Sequence, residues 1–230
     1  MPSQLGTTVD KQAIRARYLK VETANVSDVL DELGILDQGL SADFRPFPSG
    51  DQKIAGWAYT IRGQLSPYAG SGDPDKMRAL EGVSEGDITV WSGGGAEGIC
   101  FFGELIALGM QVRGCAGALV DGGIRDVQWL HKHGFPVYAR YRTPVQSIGR
   151  WKVNASDLPV YLPGATSARV SVAPGDFILG DVDGVIVVPN QMVLPVLEKV
   201  EKLTETETKI RAELDAGASL AAVLEKYGHV

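Results

Sequence analysis

Between residues 86 and 139 the chain alternates short β-type runs with helix-type runs across glycine turns, and this alternation limits the folds open to it more than any other feature. Residues 87–91 read as a strand, 93–95 as a glycine loop, about 98–112 as a helix and 116–120 as a strand. A glycine turn, a helix over 126–133 and a third strand over 136–139 follow. The order is βαβαβ, and strands joined through helices pair in parallel with right-handed crossovers.

The flanks follow simpler rules. Residues 10–22 suit an amphipathic helix, and 25–33 a second one with Asn25 or Ser27 as cap and Gly34 as stop. The proline-rich run 43–50 reads as loop, 54–63 as a strand rich in β-branched and aromatic residues, and 74–82 as a helix. After Thr143 the texture changes to short strands at 145–148, 168–172, 176–179 and 185–188. A long charged helix over 193–216 then breaks at Gly217 before a short helix at 220–227.

Bulk properties exclude several classes. A chain of 230 residues with 44% hydrophobic content can bury a real core. A net charge of -6 with scattered Lys and Arg argues against nucleic acid as a partner. Apolar runs fall far below the roughly 20 residues that cross a bilayer, and MPSQLGTTVDKQAIRARYLK has no signal core, so no membrane partner and a cytoplasmic location are expected. Cys100 and Cys115 form no CxxC pair and read as reduced core residues.

The chemistry concentrates around Gly122-Gly123-Ile124-Arg125-Asp126. A strand ends there and a helix begins, so backbone N–H groups converge on Arg125, a setting that attracts anions. Arginine adds a planar two-pronged donor for a carboxylate, and Asp126 offers hard oxygens suited to magnesium or manganese. The same spacing fits a plain ion pair at Arg125 and a helix cap at Asp126. Glu104 lies in the otherwise apolar FFGELIALG, where a carboxylate needs a partner, either a structural arginine or a catalytic role.

Other motifs carry less. Residues 93–98 satisfy GxGxxG and Asp121 sits where a ribose-binding acid would, but no second mononucleotide-binding half follows. A glycine loop that holds a substrate carboxylate or a neighbouring strand fits better. Lys53, Lys76, Lys132 and Lys152 have polar or loop-like surroundings, which argues against Schiff-base chemistry. His131 and His133 suit a solvated helix end, and zinc lacks further ligands.

Taken together, NVSDVLDELG at 25–34, IAGWAYTIRG at 54–63, GDITV at 86–90, GELIALG at 103–109, GCAGALVDGGIRDV at 114–127, PGDFILGDVDGVIVVP at 174–189 and ETKIRAELDAG at 207–217 resemble the RraA-like family, the proteins similar to regulator of ribonuclease activity A. That family includes the class II 4-hydroxy-4-methyl-2-oxoglutarate / 4-carboxy-4-hydroxy-2-oxoadipate aldolases. The resemblance implies an α/β fold, a swivelling β/β/α domain (an α-β-β-α sandwich) over residues 1–190. It also implies a C-terminal helical extension over 191–230 that packs on a neighbouring subunit in a trimer or hexamer.

The resemblance further implies retro-aldol cleavage of a 4-hydroxy-2-oxo acid to pyruvate, with oxaloacetate decarboxylation as a side activity. Arg125 would bind the pyruvate part, Asp126 the magnesium (or manganese or another divalent metal), and Glu104, where the family often has Asp, the water on that metal. Gly103, Leu105 and Ile106 would receive the substrate carboxylate through backbone N–H groups, and Glu207, with Glu205 as rival, would approach from the neighbour. The alternative within the same family is a non-catalytic protein that binds and inhibits a partner such as a ribonuclease. The roughly forty residues after Pro189 favour the enzyme, because the ribonuclease-regulating members are shorter.

Overall fold

The computed structural model describes residues 10–228. Helices α1 (Lys11–Tyr18) and α2 (Thr23–Glu32) lead into strands β1 (Arg45–Phe47) and β2 (Ile54–Leu65), helix α3 (Pro74–Glu81) and strand β3 (Asp87–Ser92). Next come β4 (Cys100–Phe102), α4 (Glu104–Gln111), β5 (Gly117–Ile124), α5 (Val127–Lys132) and β6 (Val137–Arg142). Strands β7 (Trp151–Ser156), β8 (Val160–Leu162), β9 (Val170–Val172), β10 (Phe177–Asp181) and β11 (Gly184–Val188) precede helices α6 (Val193–Asp215) and α7 (Leu220–Tyr227).

The main sheet runs β1-β6-β5-β3-β2-β10-β11, with β4 paired to β5 and β7 to β2. As the βαβαβ pattern requires, β2, β3, β5 and β6 are mutually parallel. The added strands β1, β7, β10 and β11 pair antiparallel.

Side-chain alternation with period two then builds the layers. Along β5, Ala118 and Val120 enter the core beneath α3, α4 and α5, whereas Leu119 enters the core on the opposite face. That opposite face gathers Ile54, Ile88, Leu119, Tyr138, Ile178 and Val187 from six strands into one cluster, closed by Val160, Leu162, Val170 and Val172 of the β8–β9 hairpin. A sheet whose distant strands share one cluster is curled towards a barrel. A third core packs α1, α2 and α6 on β2, β10 and β11 through Val26, Leu30, Trp57, Phe177, Val196 and Val200. The fold is therefore the expected mixed α/β, β/β/α architecture with a C-terminal helix.

Several local expectations are corrected. The helix expected over 10–22 ends at Tyr18, and α2 starts at Thr23, so neither Asn25 nor Ser27 is its cap. The capping carboxylate comes from far away: Asp181 accepts from the Thr23 backbone N–H at 2.8 Å and from its hydroxyl at 2.6 Å. The helix expected from about 98 begins only at Glu104, because Cys100–Phe102 is drawn into the sheet beside β5. Strand β5 continues through Gly122 and Gly123 instead of turning there. The 145–148 run is not a strand; Gln146 makes one isolated bridge to Cys100. Strand β1 arises in the run expected to be loop, where Pro46 is tolerated at the sheet edge.

Two glycines in β2 and β5 are imposed by packing. The buried Trp151 indole stacks on Phe101 with centroids 4.5 Å apart and donates to Gly93 O at 3.0 Å. A Cβ at Gly63 would lie 1.9 Å from Trp151, and one at Gly122 would lie 2.2 Å from Phe101. Gly63→Ala and Gly122→Ala are each expected to lower stability by about 1–3 kcal/mol. A lower urea midpoint at unchanged m-value is the readout, and an unchanged midpoint would count against this packing.

The helical tail divides in two. Val193, Val196, Leu197 and Val200 of α6 are buried on the chain's own core. Beyond them α7 folds back on α6, with Tyr227 and Lys226 bonded to Glu213 and with Ile210 and Val223 buried. Among the described residues no helix is long and apolar enough to cross a membrane.

Candidate active site

The site forms where β4 and β5 end and α4 begins, at the carboxyl edge of the parallel strands, where open α/β sheets bind ligands. Arg125 follows the last residue of β5, and its backbone N–H donates to Phe102 O at 3.1 Å, which ties it to the end of β4. Asp126 has φ 59° and ψ 34°, a left-handed conformation uncommon outside glycine. Such strain persists only where the surroundings impose it, and it collects at functional sites.

This conformation turns the Asp126 carboxylate away from α5. It makes no side-chain cap bond there, which overturns the helix-cap reading of this residue. Asp126 Oδ2 instead accepts from the Glu104 backbone N–H at 3.4 Å and lies 3.5 Å from Arg125 Nε. The two side chains are 39% and 45% exposed respectively, so both remain open to a ligand.

Glycine at 103 makes this approach possible. A Cβ there would stand 2.8 Å from Asp126 Oδ2 and 3.2 Å from Arg125 Cγ. As the cap of α4 it makes no side-chain bond, and the first-turn N–H groups of Leu105 and Ile106 have no partner within the helix. Gly103→Ala is expected to displace the Asp126 carboxylate. We expect kcat/KM to fall by about tenfold or more, while the unfolding midpoint moves by about 1 kcal/mol or less. Loss of stability matching the loss of activity would contradict this role.

A cavity of about 340 Å³ opens in front of this corner, at the small end of ligand sites. Its lining includes Arg125, Asp126, Gly103, Leu105 and Ile106 together with Asp73, Lys76, Cys100, Gln146 and Ser147. Gly103, Leu105, Ile106, Arg125 and Asp126 thus line one cavity. Cys100 and Cys115 are buried and free, and burial pushes both thiols up.

The three glutamates lie elsewhere. Glu104 is 20% exposed, and its carboxylate points to His133 Nε2 at 3.5 Å, not to an arginine. Glu207 pairs with Arg211 at 2.6 Å on the distal half of α6, and Glu205 is exposed on the same helix. Neither helical glutamate lines the cavity of its own chain. Among the described residues no group of three or more His, Cys, Asp or Glu converges. A cation here would therefore rest on the single Asp126 carboxylate plus water and substrate oxygens. That donor set fits magnesium, which keeps most of its water, and does not fit zinc.

The GxGxxG segment is structural. A strand follows it, not a helix, and a Cβ at Gly93 would lie 2.3 Å from Asp121 O, so the loop serves close backbone approach. Asp121 is 4% exposed and pairs with Arg140 at 3.4 Å.

Lys76 is the residue that sequence reasoning missed. Set in DPDKMRAL it reads as a solvated helix position, yet it is 7% exposed. Its Nζ donates to Phe101 O at 3.0 Å and to Ser147 Oγ at 3.4 Å. The same ammonium lies 5.3 Å from the Trp151 ring and 5.8 Å from the Trp91 ring. Burial pushes it down to about 8, against the opposing influence of Asp73. The capping potential of Asp73 was the available signal. That residue bonds the Lys76 backbone N–H at 3.1 Å and the Val153 N–H at 2.9 Å, which pulls the first turn of α3 against β7.

Known proteins resemble this chain in sequence and fold. A Halalkalibacterium halodurans protein provisionally named a 4-hydroxy-4-methyl-2-oxoglutarate aldolase is 31% identical over 93% of this chain and 94% of its own length. The Thermus thermophilus 4-hydroxy-4-methyl-2-oxoglutarate aldolase is 27% identical over 75% of this chain and 94% of its own. Among solved structures, a Streptomyces coelicolor protein described as an unusual member of the RNase ES inhibitor RraA protein family superposes with TM-score 0.72 at 25% identity. That match covers 91% of this chain and 99% of the other. Residues 23–187 match the family described as RraA-like, Aldolase/RraA, and the chain belongs to that family.

Proposed function

We propose that this protein is a carbon–carbon lyase that cleaves a 4-hydroxy-2-oxo acid to pyruvate and a second oxo acid, with dependence on a divalent metal such as magnesium. The observation that carries the reading is the Arg125–Asp126 pair, held by a left-handed turn against the first turn of α4 over a cavity sized for a small acid. The names of the aldolase relatives support it.

In this reading the α4 N–H groups of Leu105 and Ile106 and the Arg125 guanidinium hold the 2-oxo acid end. The hydroxyl proton passes to a water of the site, the C3–C4 bond breaks, and its electron pair becomes a pyruvate enolate. The C4 carbon leaves as a carbonyl, and protonation at C3 releases pyruvate. Arg125 stabilises the developing enolate charge with donors already in place. Asp126 would hold the divalent cation, which supplies Lewis-acid stabilisation of the same charge. The same electron sink accommodates oxaloacetate decarboxylation, because loss of carbon dioxide leaves the same enolate. The distal half of α6 would deliver Glu207, or Glu205, to the site of a neighbouring subunit in a trimer or hexamer.

The experiment is pyruvate release from a panel of 4-hydroxy-2-oxo acids and oxaloacetate, with magnesium and with chelator. Magnesium-dependent turnover of one or more supports the lyase. Likeness to the RNase ES inhibitor family favours a second reading, a protein that binds and inhibits a ribonuclease. No turnover across the panel, together with stoichiometric, chelator-insensitive inhibition of a ribonuclease, would replace the first reading with the second.

A further inference from the structure

Glu104 is held from both ends of α5. Asp126, the residue before the first turn of that helix, accepts from the Glu104 backbone N–H through Oδ2 at 3.4 Å. His133, the residue after its last turn, places Nε2 3.5 Å from the Glu104 carboxylate. Helical side chains lean towards the N-terminus, so a ring at the far end of α5 reaches back along the helix. The same histidine also takes the other end of α4, because its carbonyl accepts from Gln111 Nε2 at 3.2 Å. Both ends of α4 therefore rest on one residue of α5.

The Glu104 carboxylate lies off the cavity, whose lining passes from Gly103 to Leu105 and leaves it out. Its side chain is only 20% exposed, and a carboxylate so covered needs a partner. A role at the site that acts through position, not contact, accounts for both facts.

We propose that His133, acting through the Glu104 carboxylate, is a positioning residue that holds the first turn of α4 against Asp126. Backbone and side chain of Glu104 are fixed at opposite ends of one short helix, so the free N–H groups of Leu105 and Ile106 keep a set distance from Arg125. Such preorganisation leaves little ordering for a ligand to complete. Without the side-chain contact, Glu104 meets α5 only through the backbone bond of 3.4 Å, which is long for an N–H donor. That this turn receives a substrate carboxylate rests on the lyase reading, whereas the hold itself rests on the contacts of Glu104.

The test compares the wild type with His133→Ala, His133→Gln, Glu104→Ala and the double alanine variant, all in the full chain. Hydrogen exchange reads the hold without any ligand, through the amides of Glu104 and Ala107, which are bonded to Asp126 and to Gly103 O. Equilibrium binding of pyruvate in the presence of magnesium reads its consequence. Each single alanine variant is expected to lower the protection of both amides by about threefold or more. Pyruvate affinity should fall by about two- to fivefold, the effect of a partly exposed pair.

Because both residues act through one contact, the double variant should fall within about twofold of either single one. His133→Gln, whose amide N–H reaches about as far as Nε2, should stay within about twofold of the wild type. A merely structural contact would lower the urea midpoint and leave pyruvate affinity unchanged, and that result overturns the proposal. So does unchanged amide protection, or a loss in Glu104→Ala that His133→Ala does not share. Protection that falls as expected, in a protein that neither binds pyruvate nor releases it from any panel acid, keeps the hold and removes the lyase reading instead.

Discussion

Arg125→Ala is expected to lower kcat/KM for pyruvate release by about 100- to 1,000-fold, the usual loss when one preorganised donor to a developing oxyanion is removed. The structure explains why no neighbour substitutes. Phe102 O fixes the Arg125 backbone, and among the described residues the ion-pair partner of the guanidinium is the Asp126 carboxylate, a group of opposite charge. Lys76 lines the same cavity but is anchored on Phe101 and Ser147. Arg125→Lys keeps the charge but loses the planar fork, so it should recover only part of the activity. Because the side chain is 45% exposed, neither substitution should move the unfolding midpoint by more than about 0.5 kcal/mol. Stopped turnover in a folded variant is the decisive result; retained activity in Arg125→Ala removes this residue from the mechanism.

Asp126→Ala is expected to abolish magnesium activation, with a loss of about 1,000-fold or more, since a Lewis acid contributes several kcal/mol and each decade of rate corresponds to about 1.4 kcal/mol. Among the described residues no carboxylate cluster stands ready to replace Asp126. The readout is the dependence of pyruvate release on magnesium concentration, saturable in the wild type and flat in the variant. Asp126→Gly adds a separate diagnostic. A residue at φ 59° is strained unless it is glycine, so this variant should be as stable as the wild type or more stable by up to about 1 kcal/mol, yet inactive. A variant that is both stabilised and inactive shows strain maintained for function; an active Asp126→Gly sinks the metal-ligand assignment.

Legibility differed by element. Strands β2, β3 and β11 and helices α6 and α7 follow from periodicity and breakers, because each is long or bounded by glycine and proline. Three-residue strands did not. Cys100–Phe102 is apolar enough for a buried helix or a strand, and its choice depends on the partner β5. Arg45–Phe47 contains a proline and becomes a strand only through an edge position beside β6. Strands β7 and β8 were missed for the same reason, their pairing partners being about 90 residues upstream in β2 and about ten residues downstream in β9.

The site divided in the same manner. Arg125 and Asp126 were legible because a glycine run, a strand end and a charged pair coincide in a few residues. Glu104 was legible as an anomaly, but its partner His133 was not, since that contact depends on how α4 meets α5. Lys76 was read as lying in polar or loop-like surroundings, and nothing local reveals that Trp91, Trp151 and Ser147 close over it.

The chain by itself determined the alternation that makes a parallel sheet, the glycines that let strands approach, and the Arg–Asp pair at the end of β5. These are local matters: side-chain period, backbone freedom at glycine, and the chemistry of adjacent residues. Only the tertiary structure decided the left-handed turn at Asp126, the meeting of that carboxylate with the start of α4, and the burial of Lys76. Each of these depends on contacts between residues distant in sequence, whose energies exist only once the sheet has curled and the helices have docked on it.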